Sequence, residues 1–325
     1  MKVKNLFIMS LAAFSLVACS NDEETAVPQE GSVVVNLTTA DPKTKADPLT
    51  TGGYKEENAM STGKVYAFLN GTTLVETKEF STASNEVKFD KLTVGSAYQF
   101  VAVANSATTT ATTADGFKTL EIAAPTAKED FVMYNVASVS DLKATNEINM
   151  TVKRVLSAVQ LGTVTRAQTE AVPSAYRNAT MTINSLTLYN VNPSVNLDGT
   201  KKDGKAVNAT DLAALFTDKT VANSASVDIK GTDVAARAYA CPTTGSATLY
   251  GVLEVTYSDG IGRKYYNISL PAGLDANTLY LLHVTIVGVG SNNPGDPDEF
   301  GGATGKITPA PWSNGSVINV ENQEG

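Results

Sequence analysis

The sequence predicts a mainly all-β protein, because apolar residues recur at every second position in many short segments separated by turn signals. The first such segment begins at Gly31, where Val33, Val35 and Leu37 fall on one face and polar residues interrupt the other. Further along, Asn70-Gly71 separates two alternating segments and predicts a hairpin, since both turn positions require positive φ. A few short helices are expected between the strands.

One of these helices is predicted after Asn208 or Thr210, either of which could cap it, and Leu212, Leu215 and Phe216 share its apolar face. The most apolar strand is predicted over Thr278–Val289, which we expect to lie inside a sheet.

A change in the phase of the alternation marks the middle of the chain. Apolar residues alternate from Ile148 as far as Lys153-Arg154, and from Val155 the alternation continues shifted by one residue. Such a shift indicates either a β-bulge or a strand that passes from one sheet to another. The 325-residue chain can form two domains, and we expect an N-terminal domain over 46–154 and a C-terminal domain over 155–325.

The first residues have the features of a targeting segment. Lys2 and Lys4 precede an apolar stretch over Leu6–Ala18 that is too short to cross a bilayer. The stretch ends at Cys19 and resembles a bacterial lipobox, in which the cysteine is lipidated and becomes the mature N-terminus. The sequence thus predicts a lipoprotein signal peptide over residues 1–19. The alternative is a plain signal peptide with a chance cysteine.

The first strand is followed by a basic segment. Asp41-Pro42 ends the strand, because proline lacks the N–H that a strand ladder needs, and Lys43 and Lys45 follow. Cleavage there by a trypsin-like protease would release a strand that had already folded into a sheet. The remaining groove would be apolar with unpaired backbone, and would bind a new strand. The alternative is an ordinary first strand followed by a solvated loop.

Composition argues against several other classes of protein. The net charge of −8 leaves no basic stripe for nucleic acid. His283 is the one histidine of the sequence, which makes a zinc site or a catalytic triad improbable, and we expect it to be satisfied within a sheet. Cys241 is the one cysteine besides Cys19 and is expected to be a small buried residue. The sequence therefore predicts no metal, no cofactor and no enzymatic activity.

The chain closes with the segment Lys306–Val320. Pro309 and Pro311 are expected to break it into two short strands, of which Ile307 starts the first. Ser316, Ile318 and Val320 share one face of the second. The candidate donor-strand residues are Ile307, Trp312, Ile318 and Val320. We expect this tail to leave its own domain and fill the groove of a neighbouring subunit. The alternative is an ordinary last strand that pairs within its own domain.

Several short stretches, taken in order, resemble one family. They are the lipobox with the acidic segment Ser20–Glu24, the first strand followed by Thr44-Lys45-Ala46, the stretches Val152–Leu161 and Asn277–Tyr280, and the tail with Pro311-Trp312. In that order they resemble the major fimbrial subunits of Bacteroidales, the type V pilins or fimbrillins. The acidic residues resemble the export signal of surface lipoproteins, and a solvated tether is their alternative explanation.

The resemblance implies two transthyretin-like β-sandwich domains and export to the outer membrane as a precursor with palmitate on Cys19. It implies that a protease specific for Lys or Arg removes the propeptide 20–45 by cutting between Lys45 and Ala46, with Lys43 as the alternative site. The family has Arg where this sequence has Lys45. Identical subunits would then polymerise head to tail through the donor tail 306–325, together with anchor or tip subunits, in a surface fimbrium that supports adhesion to a host or bacterial ligand.

Two other functions remain as alternatives. One is a monomeric surface lipoprotein that binds a glycan or a host protein. The other is an anchor or tip subunit of the same fimbria. An anchor is expected to keep its first strand, and a tip subunit is expected to lack a donor tail.

Overall fold

The structure is a computed structural model, and it describes residues 28–39, 59–106, 111–123, 131–202, 211–212, 220–228, 237–244, 249–270, 273–294, 296 and 303–311. The described residues are mainly β, as the sequence predicts. They include two short helices, α1 (Ala114–Lys118) and α2 (Ser174–Asn178). No helix among them is long and apolar enough to cross a membrane.

The N-terminal half is built around one sheet that folds back on itself. Its strands are β1 (Glu30–Thr39), β2 (Thr62–Leu69), β3 (Thr73–Ser81), β4 (Glu86–Thr93), β5 (Tyr98–Ala104), β7 (Met133–Val139) and β8 (Thr145–Arg154), with the short β6 (Glu121–Ala123) outside the sheet. The seven strands follow the order β3-β2-β5-β7-β8-β1-β4. The rings of Phe89 on β4 and Phe100 on β5 lie 5.4 Å apart. The two arms of the sheet therefore face each other across an apolar core, as in a β-sandwich.

The hairpin predicted at Asn70-Gly71 joins β2 and β3. Asn70 has φ 51° and Gly71 has φ 73°, so both residues take the positive φ that the tight turn needs.

The C-terminal half contains two further sheets that pack face to face. Its strands are β9 (Ser157–Arg166), β10 (Met181–Tyr189), β11 (Ser194–Asn196), β12 (Asp211–Leu212), β13 (Thr220–Val221), β14 (Ser226–Asp228), β15 (Arg237–Ala240), β16 (Tyr250–Tyr257), β17 (Gly262–Ser269), β18 (Thr278–Ile286) and β19 (Ala303–Pro311). One sheet has the order β12-β10-β16-β17 with β13 on β10, and the other has the order β14-β9-β18-β19 with β15 on β9. A single apolar cluster fills the space between them.

The phase shift near Arg154 is a change of sheet. β8 ends at Arg154 in the N-terminal sheet, and β9 begins at Ser157 beside β18 in a C-terminal sheet. Of the two explanations for the shift, the passage between sheets is therefore the correct one. The domain limits at 154 and 155 stay a prediction.

A further apolar cluster joins the two halves. It combines Phe68, Val101 and Phe117 from the first half with Leu279 and Leu281 from the second. β6 and β11 also pair across the halves as a two-stranded antiparallel sheet. The molecule is thus a stack of sheets with one core inside each half and a third core between them.

The prediction of a helix with Leu212, Leu215 and Phe216 on one face is wrong where the structure describes it. Asp211–Leu212, predicted as helix, is extended and pairs with Leu186 and Thr187 of β10, because strand pairing along β10 outweighs local helix propensity. Leu215 and Phe216 lie outside the described residues.

The tail prediction is wrong for the residues up to Pro311. Ala303–Pro311 forms one continuous strand, β19, and Ile307 is opposite Leu282 of the same chain. Pro309 and Pro311 do not break it, because among the described strands β19 lies at the edge of its sheet, where a strand needs no N–H donors on its outer side.

Candidate functional site

The candidate site is the space between β4 and β8 that β1 fills, called here the first-strand groove. β1 runs parallel to β8, from Ser32 opposite Thr145 to Thr39 opposite Val152. On its other side it runs antiparallel to β4. β1 is therefore an interior strand, although it stands first in the chain.

The inward face of β1 is part of the core. Val33, Val35 and Leu37 are each 0% exposed, whereas Thr38 is exposed. This is the alternation that the sequence predicts. The three side chains belong to the same cluster as Phe89 and Met150, so the groove is lined by apolar residues of both neighbouring strands.

The outward face of β1 is held by polar contacts to β8. The amide of Asn36 donates to Glu147 Oε1 at 2.8 Å and to Asn149 Oδ1 at 3.2 Å. The hydroxyls of Thr38 and Thr151 lie 3.0 Å apart. These contacts fix which residue of β1 stands opposite which residue of β8.

The beginning of β1 passes through a narrow gap. A Cβ atom placed on Gly31 would lie 2.6 Å from the carbonyl oxygen of Lys143 and 3.3 Å from Leu142 Cδ2. Asn146 then donates from its side chain to the carbonyl of Ser32 at 3.1 Å. Glycine is therefore required at position 31 because of space, since its φ is not in the positive range.

The other end of β1 is held by a residue that precedes β4. The backbone N–H of Leu37 donates to the carbonyl of Asn85 at 2.9 Å, and the Asn85 side-chain amide donates back to the carbonyl of Leu37 at 2.7 Å. Beyond Leu37, Thr38 and Thr39 pair with β8 alone among the described residues. Sequence reasoning did not identify Asn85, because its partner lies 48 positions away.

Most of the other predicted site residues lie outside the part of the chain that the structure describes. Cys19, Lys43, Lys45 and Ala46 lie outside the described residues, and so do Trp312, Ile318 and Val320. Of the predicted donor residues, Ile307 is the one that the structure places, and it belongs to β19. The structure therefore brings together Val33, Val35 and Leu37 and does not bring Ile307 to them.

The stretches Val152–Leu161 and Asn277–Tyr280, which the sequence singles out, lie side by side at the junction of the two halves. The backbone N–H of Asn277 donates to the carbonyl of Leu156 at 2.7 Å. The side-chain oxygen of Asn277 accepts from Arg154 Nη1 at 3.2 Å, and Arg154 is 1% exposed. Both stretches thus position the two halves relative to each other.

His283 and Cys241, the two side chains considered for catalysis or metal binding, are both held within the fold. His283 Nδ1 accepts a hydrogen bond from the backbone N–H of Thr163 at 3.2 Å, within the sheet. Cys241 is 0% exposed, and burial raises the pKa of its thiol to about 12, so the reactive thiolate is scarce near neutral pH. The described residues contain no group of three or more His, Cys, Asp or Glu side chains that would hold a metal ion.

Neither a protein-family model nor a curated protein matches the chain significantly. Solved structures do share its fold. A fimbrilin from Porphyromonas gingivalis W83 has a TM-score of 0.59 at 12% identity, over 87% of this chain and 98% of that chain. A candidate cell adhesion protein from Parabacteroides distasonis has a TM-score of 0.62 at 15% identity, over 88% of this chain and 98% of that chain. Another candidate cell adhesion protein, from Bacteroides eggerthii, has a TM-score of 0.58 at 14% identity, over 88% of this chain and 97% of that chain. This chain therefore has the fold of the P. gingivalis fimbrilin, in agreement with its sequence resemblance to the Bacteroidales fimbrial subunits.

Proposed function

We propose that the protein is a structural subunit of a surface fimbria that supports cell adhesion. The observation that carries the proposal is the position of β1. It is an interior strand with three fully buried side chains, and a segment with Lys43 and Lys45 follows it in the sequence. Removing such a strand leaves a groove shaped for another strand. The fold shared with a fimbrilin supports the same proposal.

The proposed maturation begins at the N-terminus. The signal peptide 1–19 directs export, Cys19 carries the lipid, and the precursor is anchored in the outer membrane. A Lys- or Arg-specific protease then cuts after Lys45, or alternatively after Lys43, which removes residues 20–45 with β1. The mature subunit begins at Ala46 and contains domains over 46–154 and 155–325.

The proposed donor is the part of the tail beyond β19. Because β19 already pairs with β18, the donor segment is residues 312–325, with Trp312, Ile318 and Val320 as its large apolar residues. It fills the first-strand groove of the next subunit. This contact joins two different surfaces of identical subunits, so it generates an open filament. Anchor or tip subunits would end the filament.

The free energy that is lost when β1 leaves the groove can be regained when a donor strand fills it. Val33, Val35 and Leu37 are fully buried, and burial of three such side chains contributes roughly 5–9 kcal/mol. A donor strand with apolar residues would recover a similar amount. Backbone pairing on both sides of the groove adds to it, and the ordering of the tail subtracts from it.

A double variant tests the proposed trigger. Lys43→Ala together with Lys45→Ala, made in a Lys55→Ala chain so that no lysine remains between β1 and β2, should give a folded precursor that stays monomeric after treatment with a Lys-specific protease. Lys55→Ala, in the same connecting segment, serves as the control and should still polymerise. Size-exclusion chromatography and negative-stain microscopy measure the outcome. Polymers of the double variant would contradict the proposed trigger, and wild-type monomers after verified cleavage at Lys45 would favour a monomeric ligand-binding lipoprotein.

A further inference from the structure

One arm of the N-terminal sheet depends on β1 for its strand pairing. Among the described residues, β4 is the end strand of the sheet and has β1 as its one paired neighbour. β8 pairs with β1 over eight residues. With β7 it forms only two residue pairs among the described residues, Met133 with Arg154 and Tyr134 with Lys153. Loss of β1 would thus leave both β4 and β8 almost without ladder partners.

The side chains point to the same dependence. With β1 absent, Phe89 of β4 and Met150 of β8, which are 0% and 2% exposed, would border an empty apolar groove. Single strands without ladder partners are not stable in water. The state with an empty groove is therefore far less stable than the state with a filled one.

The contacts that hold β1 do not depend on its covalent link to the rest of the chain. They run from Glu30, opposite Thr93, to Thr39, opposite Val152. The cut that we propose lies after Thr39, so it removes none of the described contacts. Proteolysis breaks one peptide bond and leaves the packing of β1 as it was.

We propose that the cut first strand stays in its groove until a competing strand displaces it, and that displacement begins at Leu37, where Asn85 holds it. This inference rests on the cleavage and strand exchange proposed above. Cleavage would then make β1 able to leave the subunit, and the binding of a donor strand would displace it. An aggregation-prone subunit with an empty groove would never accumulate.

The starting point follows from the pairing at the two ends of β1. At the beginning, Gly31 is enclosed beneath the Lys143 carbonyl and pairs with Leu92. At the other end, Thr38 and Thr39 have β8 on one side only among the described residues, and Thr38 is exposed. That end also lies next to the cut. Asn85 closes it with its two hydrogen bonds to Leu37.

The first test asks whether the cut strand is retained. Purified precursor is cut with a Lys-specific protease, cleavage after Lys45 is verified by mass spectrometry, and the product is separated under native conditions at a concentration too low for assembly. The peptide that contains β1 should elute with the folded subunit in equimolar amount. A folded subunit that has lost the peptide in the absence of any competitor would overturn the inference.

The second test measures displacement. A synthetic peptide of residues 312–325 is added to the cut subunit, with a peptide of residues 28–45 as an independent competitor. The release rate of the bound strand should rise with the concentration of competitor. If the 28–45 peptide displaces it and the 312–325 peptide does not, the donor assignment fails while retention stands. If release is independent of both, the displacement mechanism is wrong.

The third test concerns Asn85. Asn85→Ala removes the side-chain hydrogen bond to the Leu37 carbonyl and should speed displacement about fivefold, the factor that corresponds to one ordinary hydrogen bond. Ser84→Ala is the matched control, because the Ser84 hydroxyl donates within its own turn, to the carbonyl of Glu86. Equal rates for both variants and the wild type would show that displacement does not begin at Leu37.

Discussion

The first and last described strands of this chain occupy opposite kinds of position. β1 lies inside its sheet, with β8 on one side and β4 on the other, and buries Val33, Val35 and Leu37 completely. β19 lies at the edge of its sheet and pairs with β18 alone among the described strands. Removal of β19 would expose one side of β18 and uncover part of Ile268 and Leu282, whereas removal of β1 would open the middle of a sheet and the core beneath it.

The comparison explains why each strand tolerates different residues. β19 contains Pro309 and Pro311, which an edge strand accommodates on its outer side. β1 contains no proline between Glu30 and Thr39, and it pairs on both sides. The interior strand is therefore the one whose exchange between subunits would change the core.

The largest effect that we expect comes from the inward face of β1. Val35→Asp places a carboxylate at a fully buried position and should lower the free energy of unfolding of the precursor by on the order of 5 kcal/mol. Thr38→Asp, at an exposed position of the same strand, should change it little. Urea unfolding measures both. Equal stability of the two variants would contradict the interior position of β1.

Truncation compares the tail with the last strand. A chain that ends at Pro311 should fold with normal stability, be cut normally and cap filaments without extending them. A chain that ends at Gly302 loses β19, which uncovers part of Ile268 and Leu282 and should cost roughly 3 kcal/mol in the C-terminal half. Thermal unfolding and filament length measure the two outcomes. Loss of stability on truncation at Pro311 would show that the residues beyond it serve their own subunit.

A methyl group at Gly31 tests the narrow gap at the start of β1. Gly31→Ala should destabilise the precursor by about 2 kcal/mol, because the new Cβ would meet the backbone carbonyl of Lys143 at 2.6 Å. Ser32→Ala adds no atom next to it and is the control. Once the strand has been removed, the difference between the variants should vanish. If Gly31→Ala leaves the stability of the precursor unchanged, the gap is wider than the structure indicates.

The smallest effect is expected on the outward face. Thr38→Ala removes the hydroxyl contact to Thr151, and because both residues are exposed the cost should be under about 0.5 kcal/mol. A larger loss, measured by the same urea titration, would mean that polar pairing and not core burial holds β1.

The sequence predicted those features that depend on local pattern. The alternation of Val33, Val35 and Leu37 identified β1 and its buried face, and Asn70-Gly71 identified a hairpin, because strand period and turn φ are properties of neighbouring residues. It did not predict that β1 pairs with β8. That pairing joins residues more than a hundred positions apart, and nothing in either strand specifies it.

The prediction for the tail was wrong for a related reason. Pro309 and Pro311 were expected to break the segment, and whether a proline breaks a strand depends on whether the strand lies inside a sheet or at its edge. Local sequence does not contain that information. The contacts of Asn85 with Leu37 and of Asn277 with Arg154 escaped prediction in the same way, because each joins distant parts of the chain.

The central claim is that β1 is present in the precursor and has been replaced in the assembled fibre. Mass spectrometry of fibres sheared from cells and washed under native conditions tests it most directly. The account predicts subunits that begin at Ala46, with peptides from residues 312–325 present and the peptide of residues 30–39 absent. Fibres in which every subunit retains the 30–39 peptide, or begins at lipidated Cys19, would contradict it.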